Sequence, residues 1–123
     1  MIKTGIIGAG MIAFPLSEAL SHTEGVEFCY IYNRTREKAK PLSERYNLKI
    51  AEDPEELIDN VDLVVIAVAT PYHFKFAEMS LNKGKHIFSE KPLTRTLDEA
   101  YKLRQLLKQK KIKFGVGCKL YKG

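Results

Sequence analysis

Residues 4–20 read TGIIGAGMIAFPLSEAL, and this stretch decides the fold. Its first four residues are typical of a short apolar strand, the next three form a glycine turn, and apolar residues then recur at helical spacing from Ile12 to Leu20. A strand that runs through a tight turn into a helix is the opening unit of a parallel α/β sheet.

Gly8, Gly10 and Ala13 form the pattern GxGxxA, a variant of the dinucleotide-binding fingerprint. The first glycine permits the tight turn, the second lets the backbone approach a pyrophosphate, and the alanine lets the helix pack closely on the sheet. Free N–H groups at the start of the helix attract negative charge. We therefore predict that this turn binds the phosphates of a dinucleotide.

Pro15 falls at about the fifth residue of a helix that starts directly after the turn. A proline inside a regular helix removes one hydrogen bond, at a cost on the order of 3 kcal/mol. The sequence therefore predicts either a local kink or a late start of the first helix.

The rest of the chain alternates between strand and helix patterns, without a repeat, a linker or a low-complexity segment. Further strands are predicted at 26–32, near 49–51, and at 62–69, 85–89 and 113–117, and helices at 35–46, after 53, at 71–82 and from 96 onward. This alternation predicts an α/β fold, a doubly wound parallel sheet of about six strands (a Rossmann fold), in one domain over residues 1–123.

Local signals predict where several helices begin and end. Asp53, Pro54 and Glu56 form a helix start with an acidic N-cap, a proline at the first position and a carboxylate that can close a capping box. Thr35 is predicted to cap the second helix, and Gly84 to end the helix that precedes it.

An NAD-selective domain usually carries Asp or Glu at the end of its second strand, where the carboxylate accepts hydrogen bonds from the ribose 2′-hydroxyl. This chain has Asn33 there, followed by Arg34, Thr35 and Arg36. An amide, a hydroxyl and two guanidinium groups suit a 2′-phosphate. The residues predict NADP as the preferred cofactor over NAD, and the alternative is that they form only a helix cap and a solvated first turn.

The net charge of +5 comes from the last part of the chain, because residues 101–123 hold eight Lys or Arg and no acid. These cations suit a solvated helix face, and no nucleic-acid-binding signature accompanies them. The longest apolar run, Leu63 to Ala69, is far shorter than the roughly 20 residues of a membrane helix. We expect a cytoplasmic protein that binds neither nucleic acid nor membrane, and the sequence leaves a homo-oligomer open.

Cys29 and Cys118 lie in separate apolar, strand-like stretches. Such positions predict reduced thiols in the core rather than a disulfide, and a metal site would need more ligands than this pair supplies. No metal site is predicted.

The segments Thr70-Pro-Tyr-His73 and Glu90-Lys-Pro92, together with GxGxxA, resemble the N-terminal domain of the Gfo/Idh/MocA family, named after glucose-fructose oxidoreductase, inositol dehydrogenase and rhizopine catabolism. The resemblance covers essentially the whole chain. It implies an oxidoreductase that transfers hydride between NAD(P) and the hydroxyl carbon of a sugar, a polyol or a related compound. The implied partners are a nicotinamide dinucleotide and a small hydroxylated substrate.

The resemblance also implies roles for individual residues. Gly8, Gly10, Met11 and Ile12 would line the pyrophosphate, Asn33, Arg34 and Arg36 the adenosine ribose, and Thr70, Pro71, His73, Glu90 and Lys91 the nicotinamide half. Lys91 is the main catalytic candidate, because an ammonium group favours developing alkoxide charge, and the bond before Pro92 is a candidate cis peptide. His73 is a second catalytic candidate, with packing at the helix start as its alternative. Tyr72 and Lys75 depart from the residues often found there and leave the substrate class open.

Family members carry a further substrate domain, which supplies the His and Asp assigned to proton transfer and is absent from these 123 residues. Since a hydroxyl proton needs a base within hydrogen-bond reach, we expect the isolated chain to bind cofactor with little or no turnover. A piece of a dehydrogenase should also expose an apolar patch where the missing domain docks. The alternative is a stand-alone module that senses NADP(H), or binds another nucleotide, without catalysis.

Overall fold

The computed structural model describes residues 1–68, 70–89, 113–116 and 119–122, the last two segments as backbone strands. The strands are β1 (Ile2–Ile7), β2 (Val26–Tyr32), β3 (Lys49–Ile50), β4 (Leu63–Ile66), β5 (His86–Ser89), β6 (Lys113–Val116) and β7 (Lys119–Lys122). The helices are α1 (Ala13–Ser21), α2 (Arg36–Tyr46), α3 (Pro54–Asp59) and α4 (Thr70–Asn82). The helix predicted from residue 96 onward lies outside the described residues.

Strands β1 to β6 are parallel and lie in the order β3-β2-β1-β4-β5-β6. From β1 the chain adds β2 and β3 on one side, and it then returns to add β4, β5 and β6 on the other side. Such a reversal opens a crevice at the carboxyl ends of the two central strands. The predicted doubly wound parallel sheet is confirmed.

Strand β7 was not predicted. It pairs antiparallel with β6, with Lys119 opposite Val116 and Lys122 opposite Lys113. A strand at the edge of a sheet needs a pairing partner on one side only, and lysines are common on such edges. The short Lys-Leu-Tyr-Lys segment therefore adds an edge strand to the sheet.

The sheet separates two hydrophobic cores. Ile6 and Ile7 are neighbours in β1, and both are fully buried, on opposite faces. Ile6 packs in the core that includes Leu42 of α2, whereas Ile7 packs in the core that includes Leu57 of α3 and Leu81 of α4. Burial on both faces explains why the central strands are apolar at successive positions.

Helix α1 starts late, as Pro15 predicts. The helix begins at Ala13, so that Pro15 is its third residue, and the N–H of Leu16 donates to the carbonyl of Ile12. The first four residues of a helix have no intrahelical acceptor for their N–H groups. The missing N–H of Pro15 therefore leaves the hydrogen bonding of α1 intact.

The predicted start of α3 is confirmed, with one change. The carboxylate of Asp53 accepts a hydrogen bond of 2.8 Å from the N–H of Glu56, and Pro54 is the first helical residue. The Glu56 carboxylate accepts from the N–H of Glu52, at 3.0 Å, which lies one residue before the cap. The Glu56 carboxylate therefore bonds the N–H of Glu52 instead of that of the N-cap residue Asp53, as a regular capping box would.

Of the predictions for the ends of α2 and α4, one is wrong in part and the other is confirmed. Thr35 lies at the N-cap of α2 in an extended conformation, but its side chain makes no capping hydrogen bond, so that part of the prediction was wrong. Gly84 follows α4 with a φ of 74°, which confirms that it ends this helix.

Cys29 is free and partly buried, and burial raises the pKa of its thiol. The register between β1 and β2 shifts between Thr4 and Gly5, and this shift leaves Cys29 unpaired opposite them. Its thiol donates to the carbonyl of Thr4 at 3.7 Å. Cys118 lies outside the described residues.

Within the described ranges, no helix is long and apolar enough to cross a membrane. The same part of the chain has no group of three or more His, Cys, Asp or Glu side chains placed to hold a metal ion.

Replacing Glu56 by Gln should lower the free energy of unfolding near neutral pH. It should also make this free energy depend less on pH in the acidic range. The hydrogen bond from the Glu52 N–H and the charge of Lys49, at 3.4 Å, hold the pKa of Glu56 below its usual value of 4.5. A carboxyl group whose pKa is lower in the folded state than in the unfolded state stabilises the fold at any pH above its unfolded-state pKa. This stabilisation is lost as the pH falls through the folded-state pKa. Urea unfolding of both proteins from about pH 7 to about pH 3 should therefore show two curves that converge at low pH.

The matched control is Glu24→Gln, at an exposed carboxylate for which the described residues provide no hydrogen bond or ion pair. A constant offset between Glu56→Gln and the parent chain at every pH would contradict the assigned role.

Candidate functional site

A cavity of about 730 Å³ lies at the carboxyl ends of the central strands. Its walls come from the glycine turn after β1, the loop after β2, the start of α3 and one face of α4. The lining residues on these walls include Gly8, Gly10, Asn33, Arg34, Thr35, Lys38, Glu55, Val68, Tyr72, Lys75 and Met79. The cavity therefore occupies the crevice that the reversed strand order opens.

Gly8 is held between both neighbouring strands. Its N–H donates to the carbonyl of Tyr32 at 2.8 Å, and its φ is 118°, a conformation that L side chains rarely adopt. A Cβ at this position would lie 2.4 Å from the carbonyl oxygen of Ala67. Gly8 is therefore required by the protein itself, with or without a ligand.

The surroundings of Gly10 are open, unlike those of Gly8. A Cβ built on it would meet no atom within 4 Å, because the residue borders the open cavity. Ala13, by contrast, is fully buried at the first position of α1, as the prediction of close helix packing requires. The two glycines thus have separate roles, since Gly8 shapes the turn and Gly10 keeps the space beside it free.

Met11 and Ile12, predicted to line the pyrophosphate, do not line the cavity. The Met11 side chain is 93% exposed, and Ile12 precedes α1 with its side chain 43% exposed. Phe14 and Tyr72, at the starts of α1 and α4, are also large exposed apolar side chains. These four exposed apolar residues lie at or just before the starts of α1 and α4, at the edge of the sheet where the cavity opens, and we call them the apolar rim.

The loop after β2 brings three of the predicted ribose residues together. Asn33, Arg34 and Thr35 all line the cavity, and the Asn33 amide donates to the Thr35 carbonyl at 2.8 Å, which fixes the turn of the loop. Arg36 lies outside the lining and forms an ion pair of 3.6 Å with Glu52.

The cavity wall carries more positive than negative charge. Arg34, Lys38 and Lys75 line it, and none of them forms an ion pair with any described residue. Glu55 is the one carboxylate among the described lining residues. The imbalance favours a ligand with at least two negative charges.

Sequence reasoning missed Lys38 and gave Lys75 no binding role. Lys38 lies in the first turn of α2, and Lys75 lies between Tyr72 and Met79 at helical spacing, so that these three residues of α4 share a face. The pattern does not show which face borders the cavity, because that depends on how the helices pack.

His73 is 3% exposed and is not among the residues that line the cavity. Its Nε2 bonds the carbonyl of Val68, which can only accept, so that Nε2 carries the proton. Its Nδ1 is buried without a partner among the described residues. His73 thus braces the loop between β4 and α4, and Val68 of this loop lines the cavity.

The remaining residues predicted on the nicotinamide side lie in α4 or outside the described residues. Thr70 and Pro71 are the first two residues of α4, which begins one residue before the predicted start at Pro71. Glu90, Lys91 and Pro92 lie outside the described residues.

Comparison with known proteins identifies a family. A family model described as an oxidoreductase family with an NAD-binding Rossmann fold, Gfo/Idh/MocA, matches residues 2–118. An uncharacterised oxidoreductase of Schizosaccharomyces pombe is 34% identical over 117 residues, which are 90% of this chain and 32% of that protein. Glucose-6-phosphate 3-dehydrogenase of Bacillus subtilis is 31% identical over 117 residues, 95% of this chain and 33% of that protein. The chain spans about a third of the length of these curated relatives.

Solved structures share the fold. KijD10, a 3-ketoreductase from Actinomadura kijaniata in complex with NADP and TDP-benzene, superposes with a TM-score of 0.86 at 28% identity, over 94% of this chain and 36% of that one. GenD2 from gentamicin A biosynthesis, in complex with NAD, superposes with a TM-score of 0.89 at 20% identity, over 94% and 34% of the two chains.

Alanine substitutions should separate the two glycines. Gly8→Ala should lower the free energy of unfolding by at least about 2 kcal/mol, because the new methyl group meets the Ala67 carbonyl in a left-handed backbone. Gly10→Ala should change it by no more than about 0.5 kcal/mol, because the methyl group enters open space. Urea denaturation followed by circular dichroism measures both, and equal losses of stability would contradict the separate roles.

Proposed function

The chain belongs to the Gfo/Idh/MocA family of oxidoreductases with an NAD-binding Rossmann fold, and on this premise we propose that its cavity binds NADP(H) in preference to NAD(H). We further propose that the parent enzyme transfers hydride between this cofactor and a hydroxyl carbon of a sugar, a polyol or a related compound. The isolated chain binds the cofactor with little or no turnover.

The uncompensated positive charge of the cavity is the observation that carries this proposal. Arg34, Lys38 and Lys75 line the same space without a carboxylate partner among the described residues. A 2′-phosphate brings one to two negative charges beyond those of the pyrophosphate. Attraction between two unit charges 4 Å apart is about 1 kcal/mol in water and about 4 kcal/mol at the effective dielectric constant of a protein surface.

The space beside the glycine turn also fits a dinucleotide. Gly10 leaves room for a phosphate to approach the backbone, and the N–H of Phe14, which has no backbone acceptor in the described part of the chain, supplies a donor in the first turn of α1. The cavity volume of about 730 Å³ lies within the usual range of small-molecule sites. Gly8, Gly10 and the start of α1 would hold the pyrophosphate, and Asn33, Arg34, Thr35 and Lys38 the ribose with its 2′-phosphate.

The names of several relatives support a sugar substrate for the parent enzyme. They include glucose-6-phosphate 3-dehydrogenase at 31% identity and a dTDP-3,4-didehydro-2,6-dideoxy-α-D-glucose 3-reductase from Streptomyces violaceoruber at 29%. The apolar rim at the mouth of the cavity, which includes Met11 and Phe14, supports docking of a further domain.

The bound nicotinamide would supply or accept the hydride, and the protein must hold or move the hydroxyl proton. His73 is an unsuitable base in this state, because its Nε2 proton is committed to the Val68 carbonyl and its ring is buried away from the cavity lining. We propose that His73 positions the loop, that Lys91 stabilises the developing alkoxide, and that a base from the remainder of the parent enzyme takes the proton.

Arg34→Ala should weaken NADPH binding about tenfold or more and change NADH binding far less, because only NADPH carries the 2′-phosphate that the guanidinium contacts. Calorimetric titration of the 123-residue chain with each cofactor measures the ratio.

Lys40→Ala is the control for the loss of one positive charge, since Lys40 is an exposed cation of α2 that does not line the cavity. Equal affinities of the parent chain for NADPH and NADH, or an Arg34→Ala protein that binds NADPH normally, would refute the cofactor preference.

Gly10→Ala should weaken NADP⁺ binding about tenfold or more while adenosine 2′-phosphate binds with unchanged affinity, because the added methyl group occupies the space that the pyrophosphate needs. Competition between the two ligands in the titration separates these affinities. Unchanged NADP⁺ affinity in this variant would place the pyrophosphate elsewhere.

A further inference from the structure

A cluster of polar side chains joins α1 to the end of α2 on the outside of the sheet. The carboxylate of Glu18 in α1 accepts a hydrogen bond of 2.5 Å from the hydroxyl of Tyr46, the last residue of α2. Arg45 lies 3.6 Å from the same carboxylate oxygen, and the other oxygen of Glu18 lies 2.9 Å from Nε2 of His22. We call Glu18, His22, Arg45 and Tyr46 the α1–α2 clamp.

The ring of Tyr46 is fixed by packing as well as by its hydroxyl. It is half-buried, its centroid lies 6.0 Å from that of Phe28 in β2, and the guanidinium of Arg45 stands 5.5 Å over its face. Hydrogen bonds from a hydroxyl to a carboxylate are short and strong compared with neutral ones. The Tyr46 hydroxyl is the main cause that lowers the pKa of Glu18, which fits a hydrogen bond to the charged carboxylate.

The two helices that the clamp joins start on different sides of the cavity. Helix α1 follows the glycine turn at Gly10, and α2 follows the loop that carries Arg34. Tyr46 is the last of the eleven residues of α2, so it lies about 15 Å along the axis from the first. A tilt of α2 by about 5° around its far end would move its start by about 1 Å, which is enough to impair a binding geometry.

We propose that Glu18 and Tyr46 are positioning residues for the cofactor, because their contact sets the separation between the pyrophosphate side and the ribose side of the cavity. This inference rests on the proposed function. Neither residue lines the cavity, so the clamp acts only through the two helices. A ligand that bridges both sides depends on the clamp, whereas a ligand that occupies the ribose side alone does not.

Glu18→Lys tests the proposal, because it replaces the attraction of Tyr46, Arg45 and His22 by repulsion from Arg45. We expect NADP⁺ to bind the variant roughly fivefold or more weakly, and adenosine 2′-phosphate, which lacks the pyrophosphate, to bind with less than about twofold change. The control Glu44→Lys makes the same charge change one residue before Arg45, at an exposed carboxylate without a hydrogen bond or ion pair in the described part of the chain. It should leave both affinities as in the parent chain.

Tyr46→Phe keeps the packed ring and removes only the hydroxyl, so it serves if Glu18→Lys fails to fold. It should shift the NADP⁺ affinity in the same direction by roughly twofold to threefold, again without effect on adenosine 2′-phosphate. The proposal is overturned if both ligands weaken equally, if Glu44→Lys reproduces the loss, or if both clamp variants bind NADP⁺ normally. A parent chain that binds no NADP⁺ would refute the proposed function instead.

Discussion

The left-handed backbone at Gly8 is the constraint on which the cavity depends. Its N–H is bonded to the Tyr32 carbonyl on one side, and on the other side the Ala67 carbonyl leaves no room for a Cβ. Strand β1 therefore ends at a fixed point between β2 and β4, and the chain must turn outward there. The space beside Gly10 and the position of the start of α1 both follow from this turn.

Features decided by residues close in sequence could be predicted. Pro15 sets the late start of α1 because its own ring excludes a longer helix, Asp53 supplies the N-cap of α3, and Gly84 ends α4. The pattern GxGxxA and the alternation of strands and helices were enough for the fold class. These are effects of one or two turns of chain, and tertiary packing reinforces them without altering them.

Features decided by packing between elements could not be predicted. Arg34 was identified because it lies two residues after the end of β2, whereas Lys38 and Lys75 line the cavity only because of the way α2 and α4 pack. The pairing of Arg36 with Glu52 depends on how close α2 lies to the loop before α3, and the burial of His73 on how α4 packs. Single-sequence patterns contain no information on these distances.

The side chains that the loop after β2 and the start of α2 bring to the cavity lie outside the cores. Arg34 in the loop after β2 and Lys38 in α2 are exposed, while Ala39 and Leu42 of α2 are fully buried and carry the packing of this helix. Replacing the exposed pair leaves both cores intact. If the cavity binds NADP(H) as proposed, substitutions at Arg34 and Lys38 can therefore change the cofactor preference without disturbing the packing that folds the chain.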